Sequence, residues 1–199
     1  TVKYILEYCP NIKNINIDIL DINAGTWSYS HSALTGFMLP ELNRYSDVSL
    51  HWNSQQFDLV DLNATSANRT LFENADLVVI QNCINEIAQN EYQVLENNIL
   101  DVFKFIPDSS SLLMVDLTTS VRSQIAQLEK AVEAKFPDIN KNTTSGNRSA
   151  SAVTSINYIP SQIIRENLLN KTDGLWPRKH LKYDFSLLNK ELPKEKQEV

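Results

Sequence analysis

Glycine is scarce in this sequence, with four residues among 199. Because glycine alone adopts positive φ without a steric cost, this scarcity excludes a complete glycine-rich phosphate loop. The Gly-x-x-x-x-Gly-Lys-Ser/Thr pattern of nucleoside triphosphate hydrolases is absent, and so is the Gly-x-Ser-x-Gly elbow of α/β hydrolases. The sequence therefore disfavours both of these enzyme classes.

Cysteine and histidine are also rare. The sequence has two cysteines and three histidines: Cys9, Cys83, His31, His51 and His180. The two cysteines do not have the short spacing of a metal-binding pair, and the histidines are scattered. Both cysteines stand in apolar contexts, which is typical of buried thiols in a reducing compartment. The sequence predicts a cytoplasmic protein without a metal site.

Long apolar runs are also missing, and no segment approaches the roughly 18 apolar residues that a membrane-spanning helix needs. No basic stretch followed by an apolar core marks a secretion signal. The formal net charge is −6, which argues against broad contact with nucleic acid. We therefore expect neither a membrane nor a nucleic acid as partner.

What the sequence does contain is an alternation of strand-like and helix-like segments. Such alternation predicts an α/β fold with a parallel sheet and right-handed crossovers. The apolar runs at 75–82 and 110–118 are typical of central parallel strands buried on both faces. Strands are predicted at 15–22, 47–52, 56–62, 75–82, 110–118 and 181–190, and helices at 91–106, 119–136 and 160–170.

The remaining segments complete the predicted organisation. Residues 140–151 are polar and contain glycine, which predicts a loop. A single α/β domain is expected over residues 1–190, followed by a charged tail at 191–199.

Four strand-like segments resemble a known family in their order and spacing. ILDIN at 19–23, FDLVDL at 57–62, ADLVVIQNCINEI at 75–87 and SLLMVDLT at 111–118 are similar to the second through fifth strands of class I S-adenosylmethionine-dependent methyltransferases. The resemblance covers most of residues 1–120. It implies a Rossmann-like, mostly parallel sheet with helices on both faces and an antiparallel last strand, and S-adenosylmethionine as the cofactor.

Two registers of this resemblance remain open. In the first, Asp21 ends the second strand and its carboxylate accepts hydrogen bonds from the ribose hydroxyls. Residues 1–12 are then the helix after the glycine-rich turn, and the first strand and that turn are expected in an associated segment upstream of Thr1. In the second register, LDINAGTW at 20–27 is itself the glycine-rich turn, with Gly25 retained. Asp21 contacts the cofactor in both.

Further cofactor contacts follow from the resemblance. Asn23 and Trp27 stand where a glycine-rich turn would have glycines, and Trp27 is a candidate to stack on adenine, with core packing as the alternative. Asp58 resembles the third-strand acid that receives the adenine amino group, while the Leu59 amide meets a ring nitrogen. Asp61 competes for this assignment, and a plain Asx turn is the alternative for Asp58.

The reaction centre is predicted where the fourth strand ends. Asn82 occupies the position that faces the transferred methyl group in the family, and its amide can orient an amine or hydroxyl substrate. Glu86 is a candidate general base, or else a carboxylate favoured at a helix N-terminus. Cys83 and Ile84 replace the prolines of the Asp/Asn-Pro-Pro-Tyr/Phe pattern, which weakens the case for a nucleic-acid base as substrate.

The resemblance thus implies an enzyme that transfers a methyl group from S-adenosylmethionine to a small molecule or a protein. The alternative is a methyltransferase-like domain without catalysis that binds a partner or serves as a scaffold. A nicotinamide-dependent oxidoreductase is disfavoured, because the sequence has neither a Tyr-x-x-x-Lys pair nor a complete dinucleotide turn.

Overall fold

The computed structural model describes residues 9, 11–27, 32, 36, 48–117, 121–137, 144–151 and 180–190. The chain divides into two compact units, residues 1–71 and 72–199. Most of the helix predicted at residues 1–12, the helix at 160–170 and the tail at 191–199 lie outside the described residues. The single domain over residues 1–190 stays a prediction.

The first unit contains a pair of parallel strands, β1 (Asn14–Asp21) and β2 (Ser49–Gln56). They pair in register along their whole length, from Asn14 opposite Ser49 to Asp21 opposite Gln56. The alternating sequence of β1 explains its form, since the isoleucines are partly buried and the polar residues between them are exposed. The chain then forms two short helices, α1 (Ala64–Ala67) and α2 (Arg69–Glu73).

The prediction of separate strands at 47–52 and 56–62 is wrong. A single strand, β2, covers the middle of that stretch, and residues 57–63 form turns before α1. The reason is local: the carboxylates of Asp58 and Asp61 accept hydrogen bonds from the N–H groups of Val60 and Asn63, at 3.0 and 2.9 Å. Such Asx turns satisfy the backbone without a neighbouring strand.

The second unit contains a four-stranded sheet in the order β3-β4-β6-β5. β3 pairs with β4 in parallel, whereas β6 is antiparallel to both of its neighbours. The predicted α/β class, with parallel strands, helices and an antiparallel last strand, is confirmed. The strands are β3 (Leu77–Gln81), β4 (Ser111–Asp116), β5 (Thr144–Ser151) and β6 (His180–Asn189). The prediction of a loop at 140–151 is wrong for residues 144–151, which form β5.

Two amphipathic helices supply half of the buried apolar residues described in this unit, as their sequences predicted. They are α3 (Tyr92–Phe105) and α4 (Arg122–Lys135). The Phe103 ring is fully buried, and its centroid lies 5.4 Å from that of Phe136. The apolar side chains that the two helices bury are Leu95, Ile99, Val102 and Phe103 from α3, and Ile125, Leu128 and Val132 from α4.

β3 is less buried than its sequence predicted. Among the described strands it has one neighbour, β4, and it forms an end of the sheet. Leu77 and Val79 are 44% and 43% exposed, so burial on both faces is wrong for this strand. A run of apolar residues identifies a strand but does not place it within the sheet order.

A hydrogen bond joins the start of α3 to α4: the Tyr92 hydroxyl donates to the Gln124 carbonyl at 2.7 Å. Burial, with a smaller contribution from the Glu96 charge, raises the pKa of Tyr92 from 10.0 to about 12. Because the folded state holds this proton more tightly than the unfolded state, the stabilisation is complete below pH 10 and is lost as the pH rises towards 12.

Tyr92→Phe is expected to lower the free energy of unfolding by about 0.5–1.5 kcal/mol at neutral pH, because one hydrogen bond is lost. The fall in stability between pH 10 and 12 should be smaller in the variant than in the unmodified chain. Urea denaturation at a series of pH values measures both effects. Parallel pH curves for the two proteins would contradict the assignment of this titration to Tyr92.

The last residue of the described chain ties the end of β6 to the end of α3. The Lys190 ammonium donates to the carbonyls of Lys104 and Ile106 at 2.9 and 2.6 Å, where a cation meets the negative end of the helix. The Lys190 N–H also donates to the Ser110 carbonyl at 2.8 Å. Burial lowers the pKa of Lys190, although the Asp108 carboxylate opposes this effect.

Candidate functional site

Asp21 is the last residue of β1, at the carboxyl end of the parallel pair. Its Oδ1 accepts a hydrogen bond from the Asn23 N–H at 2.6 Å, and its own carbonyl accepts one from the Phe57 N–H at 3.1 Å. The Asn23 N–H therefore fixes the orientation of the Asp21 carboxylate.

The chain leaves β1 through a short 3-10 helix, Ala24–Trp27. Two hydrogen bonds stabilise this turn. The N–H and the hydroxyl of Thr26 both donate to the carbonyl of the exposed Asn23, at 2.8 and 2.7 Å. Gly25 has no positive φ, and a Cβ added there would meet nothing within 4 Å. The backbone therefore does not need glycine at residue 25, as a phosphate-binding turn would.

Asp58 lies just beyond β2, at the same end of the parallel pair as Asp21. It is half-buried, and its Oδ1 is held in the Asx turn with Val60. It lines a cavity of about 240 Å³ that reaches from the end of β2 to Asn68, with Asp61 also in the lining. This volume is below the roughly 300 Å³ at which drug-sized ligand pockets begin, so the cavity suits one portion of a ligand.

The first unit thus brings together most of the residues predicted to hold the cofactor. Asp21 and Asp58 lie at one end of neighbouring strands, and Asn23 and Trp27 belong to the turn after Asp21. Leu59 lies beside Asp58 within the Asx turn. Asp21 is not part of the cavity lining, whereas both candidates for the third-strand acid are.

Asn82 and Glu86 belong to the second unit and lie close together in sequence after β3. Asn82 is exposed and has a φ of 57°, in the left-handed region that asparagine tolerates better than most residues. Its N–H donates to the Val115 carbonyl at 3.1 Å, which continues the pairing of β3 with β4. Unusual backbone angles of this kind occur disproportionately at functional sites.

Glu86 ends a short 3-10 helix, Ile84–Glu86, and its side chain is exposed. Its N–H donates to the Cys83 carbonyl at 3.2 Å. Ile84 between them is completely buried, so the segment is anchored by an apolar side chain while its polar side chains face solvent. Both roles offered for Glu86, general base and N-terminal carboxylate, stay predictions.

Asp116, the fully buried last residue of β4, is not among the site residues predicted from the sequence. Its Oδ2 accepts a hydrogen bond from the Asn85 N–H at 3.2 Å, and its Oδ1 accepts one from the Leu117 N–H at 2.7 Å. The sequence contains a pattern that indicates such a residue. MVD at 114–116 resembles ILD at 19–21, because in both an aspartate follows apolar residues at the end of a strand.

Among the described residues, no group of three histidine, cysteine, aspartate or glutamate side chains is placed to hold a metal ion. No helix in the same residues combines the length and the apolar character needed to cross a bilayer.

No protein-family model and no curated protein sequence matches the chain. The chain is similar to the solved structure of an O-methyltransferase family protein from Burkholderia thailandensis, with 10% identity and a TM-score of 0.48 over 97% of this chain. It spans about half of that protein, 48% of its chain.

Two further solved structures show similarity of the same degree. One is an S-adenosylmethionine-dependent methyltransferase from Anabaena variabilis, with 9% identity and a TM-score of 0.43 over 96% of this chain and 84% of that chain. The other is the N-methyltransferase NodS from Bradyrhizobium japonicum in complex with S-adenosylhomocysteine, with 8% identity and a TM-score of 0.37 over 89% of this chain and 78% of that chain. Values this low do not assign a ligand or a reaction to this chain.

Proposed function

We propose that this protein binds S-adenosylmethionine and transfers its methyl group to a small molecule or a protein. In this proposal Asp21 binds the ribose hydroxyls, Asp58 the adenine amino group, and Asn82 lines the methyl-transfer centre with Glu86 as general base. The turn residues Asn23, Trp27 and Leu59 are assigned to further cofactor contacts.

The observation that carries the proposal is the position of the Asp21 carboxylate and its hydrogen bond to Asn23. Ligands of open α/β sheets bind beyond the carboxyl ends of the strands, and Asp21 stands at such an end. Its Oδ1 is occupied by the Asn23 N–H, which fixes the direction in which the side chain points. A carboxylate at this position suits a ribose diol, because its oxygens accept hydrogen bonds from hydroxyl groups.

Asp58 supports the same proposal at the next strand. Its carboxylate is held in the same way, by the N–H two residues later, and it lines a cavity large enough for a planar base. Phe57, Ala64 and Ala67 contribute apolar surface to this cavity, which would cover the faces of a purine ring. Gln56 and Asn63 add polar side chains to its lining.

Methyl transfer is an in-line displacement, so alignment of the two reactants contributes more than strong acid or base chemistry. Asn82 suits such a role because its backbone is held on β4 while its side chain stays exposed. Its amide oxygen can accept a hydrogen bond from an amine or hydroxyl acceptor and direct the lone pair of that acceptor.

Isothermal titration calorimetry of the chain with S-adenosylhomocysteine and S-adenosylmethionine tests the proposal. We expect binding of both ligands and weaker binding of adenosine, with no binding of NAD. Transfer of a radioactive methyl group to candidate small molecules and proteins then tests catalysis. Absence of binding of both ligands would contradict the proposal and favour the partner-binding or scaffolding alternative.

Asp58→Asn is expected to weaken S-adenosylhomocysteine binding by about 3- to 10-fold, because a neutral amide replaces a charged acceptor for the adenine amino group. Asp61→Asn is the matched comparison, since Asp61 lines the same cavity and also closes an Asx turn. A larger loss of affinity in Asp61→Asn than in Asp58→Asn, measured by calorimetry, would transfer the assignment to Asp61.

A further inference from the structure

The segment Asn82–Glu86 is attached to the end of β4 at two points. At its start, the Asn82 N–H donates to the Val115 carbonyl at 3.1 Å. Three residues later, the Asn85 N–H donates to the Asp116 carboxylate at 3.2 Å. The side chain of Ile84, between these two points, is completely buried. The backbone of the segment is therefore held to β4 on both sides of a buried anchor.

The second attachment is made by a side chain that is costly to bury. Asp116 is completely buried, and transfer of a carboxylate from water is unfavourable unless its oxygens are hydrogen-bonded. Each oxygen accepts from a backbone N–H, Oδ1 from Leu117 and Oδ2 from Asn85. The bond to Asn85 therefore connects the end of β4 to the turn.

We propose that Asp116 is a positioning residue for methyl transfer, which acts by fixing the turn that presents Asn82. This role rests on the proposed function. Catalytic groups perform best when their supporting contacts hold them within a fraction of an ångström. Asn82 is exposed and its φ is 57°, an angle that persists where surrounding contacts impose it. The Asp116 carboxylate supplies one of those contacts from the neighbouring strand.

The test compares Asp116→Asn with the unmodified chain by three measurements. Asparagine keeps the size of the side chain, but its amide nitrogen cannot accept a hydrogen bond. If its oxygen keeps the shorter bond, to the Leu117 N–H at 2.7 Å, the Asn85 N–H loses its acceptor. Hydrogen exchange of the Asn85 amide, measured without ligand, is expected to become about tenfold faster or more. The resonance of the isotope-labelled methyl group of bound S-adenosylmethionine should shift as it does in Asn82→Ala, while affinity for S-adenosylhomocysteine changes by less than about threefold.

Ser186→Ala is the matched control. Ser186 is equally buried on β6, but it pairs with Met114 rather than with Asp116. This control should leave the exchange of the Asn85 amide and the methyl resonance unchanged. Equal effects of Ser186→Ala and Asp116→Asn would show a general response to replacement of a buried polar side chain and would overturn the positioning role.

The outcomes separate this role from the proposed function. If the unmodified chain binds neither ligand, the proposed function is overturned and the role falls with it. If the chain binds and Asp116→Asn changes neither the exchange of the Asn85 amide nor the methyl resonance, the role alone is overturned. If Asp116→Asn does not fold, hydrogen exchange of the Asn85 amide in the unmodified chain tests the role instead. Protection of this amide supports the role, and exchange at the rate of an unfolded chain overturns it.

Discussion

Replacing Asp21 with alanine is expected to weaken the binding of S-adenosylhomocysteine by about 10- to 100-fold. The proposed ribose contact consists of hydrogen bonds to a charged acceptor, each of which contributes about 1.5–3 kcal/mol. The variant also removes the acceptor of the Asn23 N–H, which loosens the turn that follows β1. Asp21→Asn, which can still accept from Asn23 but carries no charge, should show a smaller loss. Calorimetry at fixed ionic strength measures both.

Asp18→Ala is the control for this prediction. Asp18 lies on the same strand, is exposed, and accepts a hydrogen bond from the Asn53 side chain at 3.1 Å. Its replacement should change the affinity by less than about twofold, because an exposed hydrogen bond within the sheet contributes little to a distant ligand. Equal losses in Asp18→Ala and Asp21→Ala would indicate a nonspecific charge effect and remove the basis for the ribose contact.

Phe103→Ala should have the largest effect on stability, lowering the free energy of unfolding by about 3–5 kcal/mol. The Phe103 side chain is completely buried in the second unit and contacts the Phe136 ring. Its removal loses apolar burial and leaves a cavity between tightly packed neighbours. Urea denaturation followed by far-ultraviolet circular dichroism measures the change.

Phe105→Ala provides the comparison on the same helix. The Phe105 ring is only half-buried, and the Lys104 ammonium lies 5.6 Å from its centroid. Its replacement should cost less than half as much as that of Phe103, because less apolar surface returns to water. Similar costs for the two variants would contradict the burial of Phe103 in the core.

The elements that the sequence predicted best are those with a long periodic pattern of apolar residues within one segment. The helices α3 and α4 were identified because their apolar residues recur along one face over several turns. β5 was missed because its sequence, TSGNRSAS, is polar and loop-like. It is a strand by virtue of pairing with β6, far along the chain, and no local pattern reports such a partner.

In the candidate site, too, local patterns were predicted from the sequence and contacts between distant residues were not. The position of Asp21 at a strand end followed from the alternation of its own strand, which the structure confirms. Asp116 was missed although its local pattern is similar, because its significance lies in a contact with Asn85, 31 residues away. The strand expected around Asp58 was wrong because the side chain satisfied the backbone locally, a competition that apolar periodicity does not reveal.

The position of β6 has a consequence for how the protein is made. This strand is the last of the described elements in the chain, yet it lies between β4 and β5 and pairs with both. During synthesis, β4 and β5 are translated before the strand that separates them. The sheet therefore closes only after residues 180–189 have been translated, and a nascent chain arrested before residue 180 exposes the unpaired edge of β4 to chaperones and proteases.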